Sequence, residues 1–126
     1  MAVTSPRQMP DQDVILRTLD QLREKLAVAL DDRLTSLILF GDFIRSQAYV
    51  SGRSKIELLM VLETISTAVL DRAVEPIAWA KRSIPLSVMT LTEDDLRRSC
   101  DVFPVRFVAM REHHRLLSGK DVLSNL

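Results

Sequence analysis

Two apolar runs joined by a polar loop constrain this chain more than any other feature. Ser36 to Phe40 (SLILF) is continuously apolar apart from its first residue and is closed by Gly41. Lys55 to Leu62 (KIELLMVL) alternates at first and then becomes wholly apolar, as a central strand does. Short apolar runs bounded by glycine and polar turns read as buried strands. Between them, Phe43 to Tyr49 (FIRSQAY) reads as a short helix with Asp42 as its N-cap, and Val50 to Ser54 (VSGRS) as a turn.

The flanking segments supply helices. Met1 to Pro10 has two prolines and no periodicity, which predicts a flexible arm, with residues 11–126 forming a single domain. After Asp11, a good N-cap, Ile15, Leu19, Leu22, Leu26 and Ala29 recur at alternating spacings of four and three, the pattern of a helix with one apolar stripe. Ser66 or Thr67 caps a helix running through Val69, Leu70, Ala73, Val74, Ile77 and Ala80, and Pro76 inside it is expected to kink or split it. Ser83 to Leu91 (SIPLSVMTL) predicts a third strand, with Pro85 near its start, where a missing donor is tolerated. Thr92 followed by Glu93, Asp94 and Asp95 marks a helix N-terminus. The tail predicts a helix from about Pro104 to His113 and then a short edge strand ending at Ser118-Gly119. The order α-β-α-β-α-β-α-α-β implies an α+β fold, a small mixed β-sheet with helices packed mainly on one face.

Charge narrows the function classes. Seventeen basic and seventeen acidic residues cancel, so no global basic field recommends nucleic acid as a partner. The longest apolar runs are strand-sized and far short of a membrane span, and the N-terminus has no hydrophobic signal region. A single cysteine, Cys100, cannot form an internal disulfide, which fits the reducing cytoplasm.

At LFGDFIRSQAYVSGRSKIELLMVL the sequence resembles the nucleotidyltransferase superfamily that includes DNA polymerase beta and the small bacterial MNT-type proteins. The pattern of that family is a strand, a Gly-Ser turn, a loop, and a second strand opening with Asp-x-Asp or Asp-x-Glu. The tail from Asp101 onward is similar to the segment after the last core strand in bacterial MNT-like proteins. The resemblance implies the polymerase beta-like fold, two magnesium ions held by clustered carboxylates, and a C-terminal helical region completing a substrate cleft.

Residue by residue, Gly41 matches the glycine of the family, Asp42 stands where it has serine, Lys55 replaces the first carboxylate, and Glu57 matches the second. The third carboxylate comes from a later strand in the family, yet IPLSVMTL has no acid and FPVRFVAM offers only Arg106. Residues two apart on a strand project to the same side, roughly 6–7 Å apart, so Lys55 and Glu57 point together. An ammonium about 4 Å from a divalent ion costs roughly 8 kcal/mol at an effective dielectric near 20. Asp42 opposes phosphate at a helix N-terminus but serves well there as a cap. The expectation is therefore a vestigial site of Gly41, Asp42, Lys55 and Glu57, with Glu57 the one remaining candidate metal ligand and no cofactor. Arg45, Arg53 and Lys55 are candidates for a basic mouth that takes an anionic ligand without metal.

Other chemistry-bearing residues read as structural. Adjacent His113 and His114 diverge by about 100° on a helix and do not chelate one metal together. One of them is expected under the sheet edge or at a helix C-terminus. Cys100 reads as a half-buried thiol and Trp79 as a core or interface anchor. The resulting expectation is a nucleotidyltransferase-fold domain that has lost catalysis and acts as a binding or regulatory module. Its partner is a protein, an additional C-terminal domain, or a second copy of the chain, which would cover exposed apolar faces such as the Ile15 to Ala29 stripe. The alternative is an active magnesium-dependent transferase moving a nucleotide from a nucleoside triphosphate to a small-molecule or protein hydroxyl.

Overall fold

The computed structural model describes residues 12–41, 43–44 and 55–124. Helix α1 (Gln12–Leu30) leads through a short 3-10 turn (Asp31–Arg33) into β1 (Leu34–Phe40). Strand β2 (Ile56–Leu62), helix α2 (Thr67–Lys81), β3 (Leu86–Thr92), α3 (Glu93–Val102), α4 (Pro104–Glu112) and β4 (His114–Gly119) follow. The strands form one mixed sheet in the order β3-β2-β1-β4, in which β1 is antiparallel to both β2 and β4 and β2 is parallel to β3. The parallel pair requires a crossover, and α2 supplies it. Among the described residues no helix is long and apolar enough to cross a membrane.

Strands β1 and β2 are buried on both faces because two cores sandwich them. One core joins Ile15, Leu19, Leu22, Leu26 and Leu30 of α1 to Leu37, Leu39, Leu58, Met60 and Leu62 of the sheet and to Val69, Ala73 and Ala80 of α2. The stripe read from the sequence on α1 thus lies under its own sheet and is not left for a partner to cover. On the opposite face Ile38, Phe40, Leu59 and Val61 meet Leu96 of α3, Phe107 and Met110 of α4, and Val122 and Leu123. The two long helices share one face, and the two short helices with the 122–124 turn cover the second.

Local chemistry sets the element ends. Ser66 is the cap of α2, its Oγ accepting from the Val69 N–H at 3.3 Å. Thr92 and Asp95 close a capping box at α3: Thr92 Oγ1 accepts from the Asp95 N–H at 3.1 Å, and Asp95 Oδ2 accepts from the Thr92 N–H at 3.3 Å. Pro76 does not split α2, which runs unbroken from Thr67 to Lys81. A proline deprives the carbonyl four residues back, here that of Arg72, of its donor. Ala73 and Ala80, both buried, hold the turns on either side of Pro76 against the core, and that packing outweighs the lost bond.

The tail follows the sequence reading, with α4 ending at Glu112 and β4 on the sheet edge. Of the short helix read over Phe43 to Tyr49, Phe43 and Ile44 are helical and Phe43 is buried; the rest lies outside the described residues, as does the N-terminal arm.

Candidate functional site

The site implied by the resemblance sits where β1 ends and β2 begins. Register places Phe40 opposite Glu57, and on the other side of β2 Glu57 lies beside Ser87 of β3. Gly41 turns the chain away with φ +90°, a conformation that L side chains rarely adopt. A second constraint acts at the same residue: a Cβ on Gly41 would run into the Glu57 carboxylate, approaching its Cδ to 3.0 Å. The glycine is needed for the turn and for the room it leaves the acid. The Ile44 N–H donates to the Gly41 carbonyl at 3.1 Å, which starts the chain on its next turn.

Glu57 is half-buried and lines a cleft of about 230 Å³ with Phe40, Gly41, Arg106, Ala109, Met110 and His113. Its floor is the second core, since Phe40 and Met110 are buried there, and α4 forms its wall. Lys55, one residue ahead of β2, is exposed. Asp42, Arg45 and Arg53 lie outside the described residues. The structure thus brings Gly41 and Glu57 together and adds Arg106 and His113, which the linear sequence does not associate with them. The signal for Arg106 was its place in the segment searched for a third acid; for His113 no linear signal exists, because a helix from a distant segment carries it there.

The described side chains around Glu57 do not make the donor set of a two-magnesium centre. The neighbouring strand offers Ser87, the wall offers Arg106 and an imidazole, and no group of three His, Cys, Asp or Glu residues among the described residues is placed to hold a metal ion.

His114 turns away from the cleft. Its ring is almost buried, with the side chain 9% exposed, at the C-terminus of α4. Nδ1 faces the Arg111 and Met110 carbonyls at 2.7 and 3.1 Å, and Nε2 faces both Asp121 oxygens at 2.8 and 3.0 Å. Every partner is a carbonyl or carboxylate oxygen, the kind of group to which a ring N–H donates. Burial pushes the Asp121 carboxyl up, but hydrogen bonds from His114 and from the Ser124 hydroxyl and N–H outweigh it and hold Asp121 below the usual carboxylate range. This cluster pins the start of β4 to the 122–124 turn and is structural. Cys100 packs half-buried against the second core, where burial pushes its thiol up and away from the reactive thiolate form. Trp79 is a partly buried anchor whose ring lies 4.7 Å from Lys25 Nζ, a cation–π contact between α2 and α1.

The mixed four-stranded sheet, the glycine turn after β1 and the acid at the head of β2 define the class: this chain has the nucleotidyltransferase fold of the MNT type. Solved structures it is similar to include toxin–antitoxin assemblies. A mutant of the MntA–HpeT toxin–antitoxin aligns over 81% of this chain and 74% of that chain, at 19% identity and a TM-score of 0.50. A toxin–antitoxin with AMP-PNP aligns over the same shares at 17% identity and a TM-score of 0.49. The tri-AMPylated Shewanella oneidensis HEPN toxin in complex with MNT antitoxin aligns over 86% of this chain and 73% of that chain, at 15% identity and a TM-score of 0.46. At these identities the likeness is one of fold. No family model and no curated protein matches the chain.

Proposed function

We propose that this chain is a nucleotidyltransferase-fold protein that no longer transfers nucleotides and works by binding a protein partner. The observation that carries this reading is the company of Glu57. Metal-dependent nucleotidyl transfer needs clustered carboxylates to hold the ions that neutralise the triphosphate. Among the described residues one half-buried carboxylate lines the cleft with Arg106 and His113, and a lysine stands two residues before it in sequence. The Arg106 guanidinium and the Lys55 ammonium are cations, which repel a divalent ion. A protein partner is supported by the structurally similar MntA–HpeT assembly, which is itself a complex of a toxin with its antitoxin.

A second reading keeps the cleft as a metal-free site for an anionic ligand, favoured by Arg106 and His113 among the residues that line it. Calorimetric titration of the full chain with magnesium and each nucleoside triphosphate decides among the readings. The expected result is no saturable heat with or without metal. Binding that persists in a chelator and disappears in Arg106→Ala would favour the anion site. Saturable binding that requires magnesium would overturn the loss of catalysis and restore an active transferase.

A further inference from the structure

We propose, resting on the reading of the Glu57 cleft as a metal-free ligand site, that it takes a small zwitterion. The ligand is an α-amino acid with an apolar side chain, its ammonium on Glu57 and its carboxylate on Arg106.

The cleft presents charges of both signs that do not satisfy one another. Glu57, Arg106 and His113 all line it, yet among the described residues none of the three side chains makes a hydrogen bond or an ion pair. Glu57 is half-buried, with its carboxylate lying against Gly41, whereas Arg106 and His113 are exposed on the wall. The acid is therefore the less accessible charge, and the guanidinium and imidazole are the outer groups.

This mixture decides between ligand classes. A simple anion suits Arg106 and His113 but is opposed by Glu57. At 4 Å and an effective dielectric near 20, one such repulsion lowers affinity on the order of a thousandfold. A simple cation meets the same opposition from Arg106. A molecule carrying an ammonium beside a carboxylate turns both repulsions into attractions. Its ammonium has three donors for the Glu57 oxygens, and its carboxylate matches the forked guanidinium of Arg106 in a bidentate pair. A ring N–H of His113 is a further donor for the same carboxylate.

Size and lining narrow the class further. The cleft holds about 230 Å³, below the roughly 300–1,000 Å³ of pockets that take drug-sized ligands. That is room for one amino acid rather than for a nucleotide. The floor is Phe40 and Met110, both buried, and an apolar side chain laid on them loses water-exposed surface.

Titration of the full chain with L-leucine, isocaproate and isoamylamine, followed by amide chemical shifts, tests this. The second probe is leucine without its amine and the third is leucine without its carboxylate. L-Leucine should give saturable shifts at Gly41, Glu57 and Arg106 with a Kd of about 1 mM or below, and each single-charge probe should bind at least tenfold more weakly. Glu57→Gln keeps the shape of the side chain and removes its charge. It should weaken L-leucine at least tenfold and strengthen isocaproate, a reversal that a merely structural role would not produce. Arg106→Ala, at an exposed position, should weaken both while leaving the circular dichroism spectrum unchanged. Isocaproate binding as tightly as L-leucine would overturn the zwitterion and leave the anion site standing. No binding of any of the three probes would overturn both.

Discussion

Replacing Gly41 by alanine probes the turn and the acid at once. The residue has φ +90°, and a side chain held in that region costs about 1–2 kcal/mol. The added Cβ would also meet the Glu57 carboxylate, whose Cδ it would approach to 3.0 Å, while the Glu57 Cβ at 3.5 Å is in ordinary contact. The carboxylate is the far end of a flexible side chain, so it should swing into the cleft, adding on the order of 0.5–1 kcal/mol. The expected destabilisation is about 2 kcal/mol, or roughly 6–12 °C in Tm for a chain of this size. A double-mutant cycle separates the parts, because in Glu57→Ala the same glycine substitution should cost only the backbone share. Urea unfolding of the four variants, followed by circular dichroism, supplies the free energies. A cost under about 0.5 kcal/mol in both backgrounds would refute the turn conformation. Equal, substantial costs in both would refute the packing of the acid over the glycine.

Two further outcomes follow from the second core. Asp121 has a folded-state carboxyl below its ordinary value, so its contribution to stability is present above about pH 4 and is lost as pH falls through the folded pKa. Asp121→Asn should therefore destabilise the chain at pH 7 and approach wild type as pH falls through the folded pKa, in thermal melts; a pH-independent difference would contradict the His114 and Ser124 bonds as its source. Cys100, its thiol raised by burial, should react with a disulfide reagent at neutral pH several times more slowly in the native chain than in urea; equal rates would show that the second core leaves it open.

The architecture was legible where periodicity and punctuation agree. SLILF closed by glycine and KIELLMVL are apolar beyond what one face requires, and the structure buries them from both sides. Thr92 with Asp95 announced a helix start by local hydrogen bonding alone. Pro76 does not split its helix because its cost is local, whereas the packing of Ala73 and Ala80 that offsets it involves residues distant in sequence. The candidate site was half legible. Gly41 and Glu57 belong to one supersecondary unit, a strand, turn and strand, which a linear motif can encode. His113 arrives at the end of α4, a helix about fifty residues further along, and no spacing rule links it to Glu57.

The sandwich of two cores divides the molecule into unequal listeners. Anything seated against Glu57 rests on Phe40 and Met110, which belong to the smaller core, together with Phe107, Val122 and Leu123. The larger core on the far face holds α1 and α2 through a separate set of side chains. Occupancy of the cleft would therefore be heard first in α4 and the 122–124 turn, where amide exchange should slow, while α1 stays silent. One small domain thus has two interiors, with the strands between them.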